Sequence, residues 1–101
     1  MNEFEKKTGI KQTVLNEIIV LAKKNHVQKL ILFGSRARGD FERTSDIDLA
    51  VEGGSIARFA SDIEEDTSTL LEYDVIDLSK PMQEALLESI KKEGRIIYEK
   101  I

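Results

Sequence analysis

Two aspartates one residue apart, Asp46 and Asp48, follow the pair Gly34-Ser35 after ten intervening residues. Each part of that arrangement has its own chemical use. A glycine ending a buried strand lets backbone N–H groups come close to a polyphosphate, and a helical turn after it points its positive end at the same anion. Ser35 adds a hydroxyl donor. Carboxylates two apart on a strand share a face, roughly 6 to 7 Å apart at the backbone, and can converge on hard cations such as Mg²⁺. A polar loop with an aspartate pair kept for solubility is the plainer reading; the ordered strand patterns on both sides weigh against it. Arg36 and Arg38 could clamp phosphate through bidentate hydrogen bonds, or could be solvated loop residues. Gly34 and Gly39 mimic half of a P-loop, but Asp40-Phe41 stands where that motif requires Lys and then Ser or Thr.

These residues need strands and helices to hold them. Leu30 to Phe33 is a short apolar run stopped by Gly34, as expected of a strand buried on both faces. From Asp46 to Glu52 the chain alternates, setting Asp46, Asp48 and Ala50 on one face and Ile47, Leu49 and Val51 on the other. Tyr73 to Leu78 reads as another strand, with Asp74 and Asp77 on opposite faces, so only one of them can join the first two carboxylates. Val14, Leu15, Ile18, Ile19 and Ala22 predict a helix near 10 to 25, ended by Asn25 in a left-handed conformation. Ile56, Phe59, Ala60, Ile63, Thr67, Leu70 and Leu71 predict a second, capped by Ser55. Ser79 and Pro81 start the last, which carries Met82, Leu86 and Ile90 and stops at Gly94. Residues 35 to 40 can add one helical turn, and Arg95 to Tyr98 an edge strand. The fold class expected is α/β, an α+β two-layer domain spanning 1–101, with a small mixed sheet of three or four strands flanked by helices.

Composition narrows the chemistry further. There is no cysteine and one histidine, His26, which excludes thiolate sites and paired-histidine zinc motifs, so any metal sits on oxygen. His26, at a helix end, reads as a cap or surface residue. The net charge is −4, and the acids concentrate in residues 31 to 79, where twelve face four bases. Such a balance argues against a protein that lives by holding duplex nucleic acid and suits a site that gathers divalent cations. No apolar run approaches the ~18 residues of a membrane span, and the first residues lack a secretory signal, so a cytoplasmic protein is expected.

The run GSRARGDFERTSDIDL, residues 34 to 49, closely resembles the signature of the minimal nucleotidyltransferase family in the polymerase β-like superfamily. The resemblance implies that Gly34 and Ser35 hold the phosphates of a nucleoside triphosphate, with ATP as the expected substrate. It also implies that Asp46 and Asp48 bind Mg²⁺, two ions in all, and that a third carboxylate from a later strand completes the site. In this family that acid precedes a short apolar stretch, as in Asp74-Val75-Ile76, which favours Asp74; Asp77 is then a strand-end acid shaping the entry to the last helix. Larger members carry extra domains for the acceptor, which this chain has no segment left to form, so the acceptor should belong to another polypeptide. Small members often act as antitoxins of an all-helical HEPN ribonuclease, binding it and transferring AMP to a tyrosine hydroxyl. The alternatives are neutralisation by occlusion alone, and transfer to a small molecule or RNA. Exposed apolar positions on the terminal helices could serve self-association.

Overall fold

The computed structural model describes residues 1–101. Five helices and four strands follow one another: α1 (Glu3–Thr8), α2 (Gln12–Lys24), β1 (Lys29–Phe33), α3 (Ser35–Arg38), β2 (Ile47–Glu52), α4 (Ile56–Asp66), β3 (Tyr73–Asp77), α5 (Glu84–Glu93) and β4 (Arg95–Glu99). The strands form one sheet in the order β3-β2-β1-β4. β1 pairs antiparallel with β2 and β4, while β2 and β3 run parallel. Parallel neighbours need a long crossover, and α4 supplies it. The expected α+β architecture with a mixed sheet is therefore the one observed.

Strand alternation divides the core in two. On one face Leu30, Leu32, Ile47, Leu49 and Val51 meet Val14, Ile18, Leu21 and Ala22 of α2 and Phe59 and Ile63 of α4. On the other, Phe33 and Ala50 meet Ile90 of α5, with Ile31, Ile76, Met82 and Leu86 packed around them. This second face is only partly roofed. Beyond the reach of α5 it carries Asp48 and Asp74 at paired positions of β2 and β3.

Several expected boundaries move, each for a local reason. α1 was not anticipated, although Asn2 and Glu5 form a reciprocal capping box and Gly9 closes the helix at φ 67°. Asn25 caps α2 at φ −97°, and the left-handed residue is its neighbour His26, at φ 61°. The Asn25 side chain is instead buried, with Nδ2 donating to the Leu21 carbonyl and to Asp62. α4 stops at Asp66, five residues early; Thr67 turns extended, its hydroxyl donating back to the Ile63 carbonyl. Leu70 is thereby fully exposed, and Ser55 makes no side-chain cap. α5 begins at Glu84 rather than near Pro81, although Met82 still packs on the second face.

Candidate active site

The site assembles where three strand ends meet. Phe33, the last residue of β1, pairs with Asp48 of β2, and Asp48 pairs with Asp74 of β3. Paired positions of adjacent strands point to the same face, so the register stands Asp74 beside Asp48. Asp46, just ahead of β2 and of the same parity, lies close enough for its charge to act on Asp48. Asp77 pairs with Val51, toward the other face, and its carboxylate accepts from the Ser79 N–H at 2.9 Å and hydroxyl at 2.7 Å. Those hydrogen bonds hold its pKa below the usual carboxylate range.

Asp48 carries the electrostatic signature of the site. Partial burial, then repulsion from Asp74 and Asp46, push its pKa up to about 6, while Arg38 and Arg36 pull the other way. Two neighbouring carboxylates acting on a third form an all-oxygen donor set suited to a hard divalent cation, whose charge would offset the repulsion. Gly34 adds a steric cradle. It sits at φ 75°, and a Cβ there would overlap the Asp48 carboxylate. The donor chemistry and the cradle fit Mg²⁺, with Asp46, Asp48 and Asp74 as the groups that would hold it. As they stand, no three such side chains are drawn around one point.

Gly34 opens into α3, whose Ala37 and Arg38 N–H groups both donate to the Gly34 carbonyl at 3.1 Å. Ser35 starts this turn, half-buried at the lip of the sheet. The two arginines that follow diverge. Arg36 is only 1% exposed. Its Nε donates to the Ser45 carbonyl at 3.0 Å and Nη1 to the Thr8 carbonyl at 2.9 Å, while Nη2 leans between the Glu42 and Arg43 carbonyls at 3.4 and 3.3 Å. The Phe41 ring lies 4.9 Å from the guanidinium. A side chain spent on four carbonyls inside the protein does not meet solvent phosphate, which corrects the expectation of a nucleotide clamp at Arg36. Sequence spacing could not separate a buried guanidinium from a solvated one. Arg38 is exposed and ion-paired with Asp40 and with Glu93 of α5, at 3.2 and 3.1 Å. Its charge still reaches Asp48.

The surroundings are open. No cavity of the protein is lined by Gly34, Ser35, Asp46, Asp48 or Asp74. The largest, about 510 Å³, lies between Gly9–Val14 and Ser68–Leu71. The carboxylates occupy a ledge along the sheet ends rather than a closed pocket. No helix is long and apolar enough to cross a membrane.

Comparison with known proteins places the family and the fold. Residues 16–101 match the family described as polymerase beta, nucleotidyltransferase. A relative from Methanocaldococcus jannaschii, named as a protein adenylyltransferase, is 31% identical over 84 residues, covering 74% of this chain and 82% of its own. Among solved structures, a toxin-antitoxin with AMP-PNP superposes at a TM-score of 0.69 and 26% identity, covering 85% of this chain and 73% of that one. A mutant of the toxin-antitoxin MntA-HpeT gives 0.65 at 25% identity, with 84% and 72% covered.

Proposed function

Because the chain belongs to the minimal nucleotidyltransferase family of the polymerase β-like superfamily, we propose that it transfers AMP from ATP to a hydroxyl of a partner protein. The partner is a HEPN-type ribonuclease toxin, which this antitoxin neutralises. The observation that carries the reading is the strand register that sets Asp74 beside Asp48, whose carboxylate lies against Gly34.

In this mechanism Gly34 and Ser35 receive the triphosphate, the glycine leaving room for phosphate oxygens and the serine donating its hydroxyl. Arg38, exposed and electrostatically within reach of Asp48, is the better of the two arginines for a phosphate contact. Asp46, Asp48 and Asp74 would hold Mg²⁺, which when bound would neutralise phosphate charge and lower the pKa of an oxygen nucleophile. Asp74, exposed at its edge of the site, takes the proton of the acceptor hydroxyl. The hydroxyl oxygen then bonds to the α-phosphorus in line as the bond to the bridging oxygen breaks, and pyrophosphate departs. An open ledge favours a side chain presented by a macromolecule over a small molecule, which ordinarily binds in an enclosing pocket. The acidic charge around the site disfavours RNA as the acceptor. The M. jannaschii relative's name and the toxin-antitoxin neighbours support a toxin protein as that macromolecule; a tyrosine hydroxyl as its acceptor is what the family resemblance implies.

The test is incubation with α-labelled ATP, Mg²⁺ and the cognate toxin, followed by mass spectrometry. One AMP on a toxin tyrosine, with loss of ribonuclease activity, is the expected outcome. Tight complex formation with no label on the toxin would replace transfer by neutralisation through occlusion.

A further inference from the structure

α1 lies outside the residues matched by the family, 16–101, yet it is bound to the loop that delivers Asp46. The carbonyl of Ser45, the residue immediately before Asp46, accepts from Arg36 Nε at 3.0 Å. The N–H of Ile47, immediately after Asp46, donates to the Glu72 carbonyl at 2.9 Å. The backbone on both sides of Asp46 is therefore pinned, on one side by β3's approach and on the other by Arg36 together with the Glu42–Ser45 turn, in which the Ser45 N–H donates to the Glu42 carbonyl at 3.1 Å and the Ser45 hydroxyl accepts from the Glu42 N–H at 2.8 Å. Arg36 in turn rests on the carbonyl of Thr8, the last residue of α1. Thr8 is itself buried, its hydroxyl donating to the Phe4 carbonyl and accepting from the Ile10 N–H. The fit is tight. Gly9 sits at φ 67°, and a Cβ there would overlap the Phe41 ring and come within 2.7 Å of Arg36 Nη1. Glu5 ties the same helix to α2 by accepting from the Gln12 N–H at 2.9 Å.

We propose that Arg36 and the end of α1 form a strap that positions Asp46 for its divalent cation, so that the N-terminal helix sets the cation affinity of the site. The inference rests on the proposed role of Asp46 as a ligand. Arg36 is a positioning residue, acting through the Ser45 carbonyl on the backbone that carries the ligand. Lysine at this position keeps the charge and loses the fork that reaches Thr8 and Ser45 together. Outer-shell partners of this kind typically tune metal affinity by about ten- to a hundredfold.

The experiment compares wild type, Arg36→Lys and Gly9→Ala, with Ile18→Val as a control that weakens the core far from the strap. Mn²⁺ binding is measured by calorimetry on the full chain, and the Mg²⁺ concentration for half-maximal AMP transfer is measured alongside. Arg36→Lys should raise the Mn²⁺ dissociation constant about tenfold, and Gly9→Ala, which crowds both Arg36 and the Phe41 ring against which it packs, should raise it in the same direction. Saturating Mg²⁺ should restore most of the transfer rate of both variants, while Ile18→Val leaves the cation dependence unchanged. Unchanged Mn²⁺ affinity in both strap variants would overturn the inference, as would absence of Mn²⁺ binding by the wild type. Mn²⁺ binding without transfer would remove the proposed function and leave the strap to be judged on affinity alone.

Discussion

β2 presents two surfaces that share every backbone bond and differ in purpose. Ile47, Leu49 and Val51 face α2 and α4 and are wholly buried, whereas Asp48, one residue out of phase, stands half-covered between two other carboxylates. Apolar burial on the first surface holds the sheet together, and that stability permits the second to keep charges that repel one another. The register that aligns Asp48 with Asp74 also aligns Leu49 with Val75, so one pairing fixes core and site together. A one-residue slip would exchange the two surfaces.

The largest expected effect separates them. Asp48→Asn keeps the size and removes the charge; transfer of AMP should fall by about a thousandfold or more, while circular dichroism and the thermal transition remain those of a folded protein. Transfer within tenfold of wild type would mean that the half-covered surface is not where the chemistry occurs. Its mirror image is Leu49→Ala. Removing a wholly buried side chain from the packed surface should cost about 2 to 5 kcal/mol in urea unfolding, with the labelling rate per folded molecule nearly intact.

A sharper comparison uses the two acids of β3. Asp74→Asn should lower transfer by about a hundredfold or more if Asp74 serves, as proposed, as third carboxylate and proton acceptor. Asp77→Asn, on the other face, should leave the rate within about threefold and lose only its hydrogen bonds to Ser79. Equal losses in the two variants would show that strand parity does not decide which acid takes part.

Much of this division was legible in the sequence because alternation along a strand is a strict geometric rule. The faces of β2 and the opposition of Asp74 and Asp77 follow from it, while β1 was read from its unbroken apolar run and the short turn at Ser35–Arg38 from the polar stretch after Gly34. What escaped depended on contacts distant in sequence. α4 carries its apolar period past Asp66 in Thr67, Leu70 and Leu71, but the parallel pairing of β3 demands an extended approach there, and tertiary geometry overrode the local pattern. Arg36 reads like Arg38 until Thr8 and Ser45 are seen to enclose it. α1 had a readable signal in the Asn2-to-Glu5 capping box; a helix of six residues carries too little apolar period to stand out otherwise.

The smallest effect lies in the pH dependence of folding, measured with a chelator present so that only the protein's own charges contribute. Asp48 has its pKa raised from 3.8 to about 6, so the folded state binds its proton more tightly than the unfolded chain does. Stability from this group is complete below about pH 4 and is lost as pH rises through about 6. Above that the folded protein carries the repulsion of Asp74 and Asp46 unrelieved. Solvent screening at a half-exposed carboxylate reduces the effect to about 1 kcal/mol. Glu5, Glu17 and Asp77 have lowered pKa values and act in the opposite sense, losing stability as pH falls. They are common to wild type and Asp48→Asn and cancel in the difference between them. Asp48→Asn should therefore unfold at a higher temperature than wild type at pH 8, by a few degrees, with the gap closing as pH falls toward 4. The substitution that removes catalysis would then strengthen the fold, and only on the site's side of the sheet; the same reversal at Leu49 would show that the two surfaces do not divide the work of the strand.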